Sequence, residues 1–181
     1  MNNQQYIGVP IALSLGANLG DRLSALTYAI KRMSEIIPDI VSSNVYETEP
    51  IGYTDQPAFL NCACIGYTSS SIDEVLNLIH VVHGELHRKP RPKWHEREID
   101  IDILLFGDII IDTDQISIPH PRMHERAFVL KPLSEIAPEM IHPKKEKTIS
   151  ELLVMCDDDS EIVIHMKSEE LYSYTFASII S

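Results

Sequence analysis

Hydrophobic and polar positions along the chain follow two different periods, and the order of these periods predicts a fold. Strand-like patterns occur at residues 7–15, 41–48, 59–67 and 99–106, with a shorter one at 109–111. The first of these segments is apolar nearly throughout, which is typical of a central strand. The fourth alternates between isoleucine and aspartate at residues 99–103, which is typical of a strand with two different faces.

Two segments between these strands have apolar residues at helical spacing. The first begins after Asp21, a candidate N-cap, and we expect Pro38 to end it. The second begins at Ser71 and Glu74, which have the spacing of a capping box. The apolar stripes consist of Leu23, Leu26, Ile30, Met33 and Ile37 in the first helix and of Ile72, Val75, Ile79, Val82 and Leu86 in the second.

The resulting order β-α-β-β-α-β is that of a split βαβ unit. We therefore predict an α/β (α+β) fold, a ferredoxin-like sandwich with a mixed or antiparallel sheet and flanking helices. Short helices are expected near residues 123–127 and 130–136. Because periodicity weakens after about residue 151, we expect residues 1–155 to form one domain and residues 156–181 to form an acidic C-terminal appendage.

The composition limits the class of protein. The 181 residues, 44% of them hydrophobic, suit one domain with one core. We expect a cytoplasmic protein without a membrane partner, because no apolar run is long enough for a membrane span and the first residues lack signal-peptide features. The net charge of −12 argues against a nucleic-acid partner. Of the three cysteines, Cys62 and Cys64 share a strand face, where a disulfide is badly placed, and we interpret them as reduced core residues rather than a redox or metal pair.

The fourth strand carries two acidic residues on one face. Asp100 and Asp102 are two residues apart, so their side chains emerge side by side. A carboxylate in a core strand is costly unless it is paired or binds a metal. Five of the 15 lysines and arginines lie just upstream, at residues 87–97, and Arg97 is among them. A carboxylate pair beside arginines is typical of metal-assisted phosphoryl transfer, and salt bridges to the arginines are the alternative explanation.

Two further patterns on the predicted helices and turns have competing explanations. The glycines at residues 16–20 lie between a strand and a helix, but the lysine of a P-loop and the third glycine of a dinucleotide-binding motif are missing, so we interpret them as a turn. His80, His83 and His87 recur at helical spacing on the second helix. They could bind a transition metal or form a partly exposed histidine face.

A last cluster begins within the proline-rich segment at residues 118–121. His120, Arg122 and Arg126 are spaced to converge from a turn and the first turn of a helix. The alternative is that the prolines stiffen a connection and that the charged side chains are solvated.

Several long motifs resemble one family. They are EPIGYTDQPAFLN at 49–61, REIDIDILLFG at 97–107 and PHPRMHERAF at 119–128, and LGANLGDR at 15–22 agrees with them. Together they are similar to the 6-hydroxymethyl-7,8-dihydropterin pyrophosphokinases of folate biosynthesis. The resemblance implies a ferredoxin-like sandwich and the transfer of the pyrophosphoryl group of ATP to the hydroxymethyl oxygen of the pterin, with release of AMP.

The resemblance also implies roles for individual residues. Two Mg²⁺ ions would be held by Asp100 and Asp102 and would bridge the phosphates of ATP, while Arg88 and Arg97 match catalytic arginines. The positions that match the pterin pocket are Thr48, Glu49, Ile51, Phe59, Asn61, Trp94 and Phe128. The positions that match the ATP site are His83, Trp94, Arg97, Ile103, His120, Arg122 and Arg126.

Two other functions stay open at this point. The basic loop has His87, Pro90, His95 and Glu96 where the family usually has other residues, so a nucleotide- or pterin-binding protein without catalysis is one alternative. The other is a transition-metal-binding protein that uses the histidines of the second helix.

Overall fold

A computed structural model of the protein describes residues 8–50, 52, 55–92 and 95–177. The strands within these ranges are β1 (Val9–Ala17), β2 (Val41–Ser42), β3 (Val45–Thr48), β4 (Phe59–Thr68), β5 (Asp100–Phe106), β6 (Ile111–Asp112), β7 (Ser117–Ile118), β8 (Ile141–His142), β9 (Lys147–Thr148) and β10 (Ile162–Met166). The α-helices are α1 (Arg22–Met33), α2 (Ile72–Glu85), α3 (Ala127–Ile136), α4 (Ile149–Val154) and α5 (Ser168–Ala177), and a 3₁₀ turn spans Met123–Glu125.

Six strands form the main sheet. Its order is β10-β3-β4-β1-β5, with β2 paired to β4 beside β3, and the pairs are antiparallel. The hairpins β6–β7 and β8–β9 lie outside this sheet. Because α1 follows β1 and α2 follows β4, the four strands β3-β4-β1-β5 with these helices have the ferredoxin-like arrangement, and the predicted fold class is confirmed.

The central strand β1 contributes to a core on each face of the sheet. Ile11, Leu13 and Leu15 belong to a core that also contains residues of α1, α2 and α5. Ala12 belongs to a second core with residues of α3 and α4, such as Leu130. The side chains that follow on the second face, toward the end of β1, are small, and this is where the sheet is open to a cavity.

Most predicted elements form, with shifted bounds. The first helix ends at Met33, before Pro38, and residues 34–37 continue as turns. In these turns the amides of Glu35 and Ile36 bond three residues back, to the carbonyls of Arg32 and Met33. The short strand predicted at 109–111 is shifted to Ile111–Asp112 (β6), and Ile109 and Ile110 precede it and are exposed.

Two other predicted elements also differ in extent. The segment 41–48 is divided into β2 and β3. The two helices expected at 123–127 and 130–136 are a 3₁₀ turn followed directly by α3, which starts three residues earlier than expected and accommodates Pro132 in its interior.

Residues 162–177, which fall in the segment expected to be an acidic appendage, contact the same sheet and helices. β10 pairs with β3, and α5 packs against α1. Leu171 of α5 is buried in the first core, and the hydroxyl of Tyr172 accepts a hydrogen bond from the Ser42 amide at 2.9 Å.

The two cysteines of β4 lie in the core, as expected. Cys62 and Cys64 are free thiols buried in the first core. A hydrogen bond with Cys62, together with burial, raises the pKa of the Cys64 thiol, so it is protonated and unreactive.

Among the described helices, none is long and apolar enough to cross a membrane.

We expect His142 to make the stability of the protein sensitive to acid. His142 is 2% exposed in β8, and its ring lies 5.9 Å from that of His124 in an edge-to-face arrangement. Burial, with the neighbouring His124, lowers the pKa of His142 from 6.5 to about 4. The unfolded chain therefore binds more protons than the native state between these values, and the free energy of unfolding decreases as pH falls from 6.5 to 4, by up to about 1.4 kcal/mol per pH unit for this residue.

Urea denaturation at pH 7 and pH 5 measures this dependence. The His142→Asn variant should lose less stability between the two pH values than the unsubstituted protein, whereas His80→Asn, on the exposed face of α2, should not differ from it. An unchanged pH dependence in His142→Asn would contradict the assignment.

Candidate active site

Cross-strand register brings the two predicted acids beside small residues of β1. Asp100 lies opposite Gly16, and Asp102 lies opposite Ser14. On the other side of β1, Gly16 lies opposite Asn61 of β4. Because strand side chains alternate between faces, these residues share the face of the sheet that carries α3. The resulting surface is acidic at β5 and polar at β4.

The side chain of Asn61 on β4 leaves no room for a side chain at Gly16. A Cβ atom at this position would lie 2.6 Å from Oδ1 of Asn61, so only glycine lets the amide of Asn61 keep its place. The other end of that amide is fixed as well, because Nδ2 of Asn61 donates a hydrogen bond to Oγ1 of Thr48 at 2.7 Å. Both groups are buried, and the amide is held in one orientation.

The segment from β7 to α3 forms the opposite wall. The amide of His120 donates to the carbonyl of Leu104 in β5 at 2.9 Å, which ties this segment to the acidic strand. Arg126 precedes α3, and its guanidinium carbon lies 5.6 Å from the ring centroid of Phe128, a cation–π distance.

These walls enclose a cavity of about 340 Å³. Eleven of the predicted site residues line it: Thr48, Glu49, Phe59, Asn61, Arg97, Asp100, Asp102, His120, Arg122, Arg126 and Phe128. A second cavity of about 290 Å³ shares Asp102, His120 and Pro121 with the first and is lined by Ile103, which points to the other face of β5. The volume and lining of the first cavity are those of a small-molecule site.

The two carboxylates have different surroundings. Asp100 accepts hydrogen bonds from Nη2 of Arg88, at 3.1 Å, and from Nη1 of Arg97. The salt-bridge alternative is therefore realised at Asp100. Burial, together with the neighbouring Asp100 carboxylate, raises the pKa of Asp102 to about 6. Two carboxylates side by side, one of them desolvated, form a place where a divalent cation would be favourable.

Asn18 fixes the position of Arg97. The backbone carbonyl of Arg97 accepts hydrogen bonds from the amides of Asn18 (3.0 Å) and Leu19 (3.2 Å), and the Arg97 amide donates to Oδ1 of Asn18 at 2.7 Å. The Nδ2 group of Asn18 also donates to Gln56 and to the carbonyl of Pro57. The glycine-containing turn at 16–20 thus holds the arginine loop, and the prediction that it is a turn agrees with its geometry.

Arg88 is positioned by the C-terminal end of α2. The Arg88 amide donates to the carbonyl of His83 at 2.8 Å, and the His87 amide donates to that of Gly84 at 3.0 Å, which together form a Schellman motif. His87 occupies the left-handed position of this motif, with φ of 54°. Arg88 does not line the main cavity, but its side chain reaches it through Asp100.

The loop after Arg88 is anchored by an ion pair. Arg91 donates to both carboxylate oxygens of Glu98, each at 2.7 Å. The hydrogen bond from Arg91 lowers the pKa of Glu98 to about 2, so this pair persists throughout the neutral pH range. The predicted site residues Ile51 and Trp94 lie outside the described residues.

The three histidines predicted for one helix face do not form a metal site. His87 follows the end of α2, His80 is exposed, and His83 is half-buried. Burial, with the nearby Arg88 guanidinium, lowers the pKa of His83 to about 4. Within the described residues, no group of three or more histidine, cysteine, aspartate or glutamate side chains is arranged to hold a metal ion.

A comparison with known proteins assigns the chain to a family. The family model for 7,8-dihydro-6-hydroxymethylpterin-pyrophosphokinase (HPPK) matches residues 12–138. The chain belongs to the HPPK family. The 2-amino-4-hydroxy-6-hydroxymethyldihydropteridine pyrophosphokinase of Bacillus subtilis (strain 168) is 42% identical over 153 residues, which are 83% of this chain and 86% of the relative.

Two further matches are consistent with this membership. The protein of the same name from Aquifex aeolicus (strain VF5) is 42% identical over 141 residues, 78% of this chain and 88% of the relative. A crystal structure of a Plasmodium falciparum HPPK-DHPS triple mutant superimposes with a TM-score of 0.65 at 18% identity. The match covers 84% of this chain and 44% of that one. Because the identity is only 18%, the likeness shows the fold alone.

Four residues of the main cavity were not among the predicted site residues: Ser14, Gly16, His95 and Pro121. Ser14 and Gly16 line the cavity because cross-strand pairing places them beside Asp102, Asp100 and Asn61. The local sequence pattern of β1 does not indicate these partners. His95 and Pro121 are each adjacent or close to predicted residues, and their proximity to Arg97 and His120 in the sequence could have indicated them.

We expect His87→Gly to stabilise the protein. A non-glycine residue in the left-handed region costs about 1 kcal/mol, which glycine does not. The free energy of unfolding, measured by urea denaturation, should rise by about that amount in His87→Gly. His87→Ala is the matched control, because it removes the imidazole but keeps the unfavourable φ, and it should not be stabilised. A loss of stability in His87→Gly would contradict the strain argument.

Proposed function

We propose that the protein transfers the β,γ-pyrophosphoryl group of ATP to the hydroxymethyl oxygen of 6-hydroxymethyl-7,8-dihydropterin, with two Mg²⁺ ions, in folate biosynthesis. The observation that carries the proposal is one cavity with two ends. The aromatic and amide side chains of Phe59, Asn61 and Phe128 line it together with the paired carboxylates of Asp100 and Asp102. An organic acceptor and a polyphosphate donor can meet there.

The end of the cavity near β3 and β4 suits the pterin. Phe59 and Phe128 offer two aromatic side chains to a flat ring. The Asn61 amide has both a donor and an acceptor for the amide-like edge of a pterin, and its orientation is held by Thr48. Main-chain groups at Thr48 and Glu49 lie on the same rim and would complete the recognition.

The acidic strand suits magnesium. Asp100 and Asp102 supply hard carboxylate oxygens from neighbouring positions on one face of β5, and burial, together with the Asp100 carboxylate, raises the pKa of Asp102. These two carboxylates would hold Mg²⁺, which would supply Lewis-acid stabilisation of the phosphate charge. In the structure, Asp100 accepts hydrogen bonds from Arg88 and Arg97.

The arginines and histidines suit the triphosphate. Arg88 and Arg97 both donate to Asp100 in partly exposed ion pairs, and each guanidinium can exchange the carboxylate for a phosphate oxygen. Arg122 and Arg126 line the opposite wall. His120 lies on that wall as well, whereas His83 lines neither cavity, and its proposed contact with ATP rests on the resemblance to the family.

The second cavity could hold the nucleoside end of ATP. The second cavity adjoins the first through Asp102 and His120, and Ile103 contributes apolar surface to it. A nucleotide can therefore extend from the carboxylates into this cavity while the pterin occupies the other end of the first.

In the proposed reaction, the hydroxymethyl oxygen forms a bond to the β-phosphorus and loses its proton, while the bond from the β-phosphorus to the oxygen shared with the α-phosphorus breaks. That oxygen leaves with AMP. The arginines stabilise the negative charge that develops on the departing and transferred phosphates, and planar bidentate guanidinium groups are well suited to this.

The alternative of a protein that binds without catalysis is less favoured by the geometry. It was motivated by the unusual residues of the basic loop. Despite His87 in place of the usual residue, the Schellman motif directs Arg88 to Asp100, beside Arg97. Both proposed catalytic arginines therefore converge on the acidic pair.

We expect Asp102→Ala to abolish turnover without unfolding the protein. Loss of a metal-binding carboxylate should decrease AMP formation from ATP, Mg²⁺ and the pterin alcohol by at least about a hundredfold. Because the substitution removes a buried carboxylate next to Asp100, the thermal midpoint of the ligand-free protein should not fall. Asp108→Ala, on an exposed turn after β5, is the control and should keep full activity.

Two outcomes would contradict parts of the proposal. Undiminished AMP release by Asp102→Ala would exclude the role of the carboxylate pair. Binding of both substrates by the unsubstituted protein without AMP release would favour the non-catalytic alternative instead.

We also expect Gly16→Ala to weaken binding of the pterin selectively. The added Cβ would displace Oδ1 of Asn61, and the loss of one hydrogen bond to the pterin should raise its KM about five- to tenfold while the KM for ATP changes little. Gly84→Ala in α2, whose added Cβ meets no neighbour within 4 Å, serves as the matched control. Equal effects on both substrates would show that Gly16 does not act through Asn61.

A further inference from the structure

Helix α3 carries side chains of the proposed site but does not cap its own N-terminus. Arg126 is the N-cap residue and Phe128 lies in the first turn, and both line the main cavity. The Arg126 side chain makes no capping hydrogen bond to this helix. The first amides of an α-helix have no partner within the helix, so another group must satisfy them if the first turn is to be held in place.

The missing cap comes from the acidic segment 31 residues farther along the chain. Oδ2 of Asp158 accepts a hydrogen bond from the amide of Ala127 at 2.8 Å. Oδ1 of the same carboxylate accepts from the amide of Ser160, at 3.1 Å, and from the Ser160 hydroxyl. The carboxylate is thus fixed by its own turn and directed at the positive end of the helix dipole, where a negative charge is stabilising.

The position of the bond connects it to the site. Ala127 lies between Arg126 and Phe128, whose side chains are in cation–π contact. Any displacement of the Ala127 backbone moves both neighbours. The neighbouring acids Asp157 and Asp159 are exposed, so only the middle residue of the acidic run is directed at α3.

We infer that Asp158 is a positioning residue for substrate binding, acting through the N-terminus of α3 on Phe128 and Arg126. Asp158 lies beyond residues 12–138, the segment that the family model matches. The C-terminal segment thereby becomes part of the support of the binding site. The inference rests on the proposed function for the identity of the substrates, but the contact itself does not.

Three variants of the full chain test the inference. Asp158→Ala removes the acceptor, Asp158→Asn keeps a neutral acceptor oxygen, and Asp159→Ala is the matched control. Loss of a helix cap corresponds to about a fivefold change in an equilibrium constant. In steady-state assays of AMP release, Asp158→Ala should raise the KM for both the pterin alcohol and ATP by about that factor, with kcat within about twofold of the unsubstituted protein.

The other two variants separate positioning from stability. Asp158→Asn should restore most of the affinity, and Asp159→Ala should match the unsubstituted protein. A purely structural role would lower the thermal midpoint and the active fraction, and hence kcat, without raising either KM. Unchanged KM values in Asp158→Ala, with turnover in the unsubstituted protein, would overturn the inference.

Amide hydrogen exchange provides a measurement that is independent of activity. In Asp158→Ala the exchange of the Ala127 amide should be faster by about fivefold or more, while Asp159→Ala leaves it unchanged. Equal protection of Ala127 in all variants would overturn the inference even if the protein had no pyrophosphokinase activity. Absence of AMP release by the unsubstituted protein would instead count against the proposed function.

Discussion

The pairing register between β1 and β5 is the constraint on which the proposed site depends. It sets Asp100 opposite Gly16 and Asp102 opposite Ser14, while the isoleucines that alternate with these acids lie in the core on the other face. Because side chains alternate with a period of two, a slip of one residue would place both carboxylates in the apolar core. Burying two unpaired charges is far more costly than any local rearrangement could offset, so the apolar packing of β5 and the location of the acids specify each other.

The electrostatics of the site follow from this placement. In a chain with a net charge of −12, four arginines surround the cavity or reach it through Asp100. Burial lowers the pKa values of His83 and His120 to about 4, so these imidazoles are neutral and the guanidinium groups supply the positive charge. The pairs of Arg88 and Arg97 with Asp100 are partly exposed, and such pairs are weak, on the order of 0–1 kcal/mol. They hold the arginines near the carboxylates without preventing a change of partner to phosphate.

Local sequence patterns predicted the parts of the structure that local chemistry determines. The period of two located the main strands and the shared face of Asp100 and Asp102, and the capping box at Ser71 located the start of α2. Cross-strand neighbours are different, because the pattern of β1 does not state which residue of β5 lies beside Gly16. The same limit explains β10, whose partner β3 lies more than 100 residues earlier in the chain. The resemblance to the family predicted more of the site than the local patterns did, since eleven of the residues it indicated line one cavity. Their roles are proposals.

The C-terminal end of α2 shows how the fold can retain a site when a loop residue changes. The Schellman bonds from His87 and Arg88 involve only backbone groups, so they form with any side chain that tolerates the left-handed position. Replacement of a glycine there costs conformational energy, but it does not alter where the next residue emerges. Arg88 therefore extends toward Asp100 in this chain with His87 before it. The changed residue affects the stability of the helix end and not the direction of the arginine, which is why the unusual loop sequence is a weak argument against catalysis.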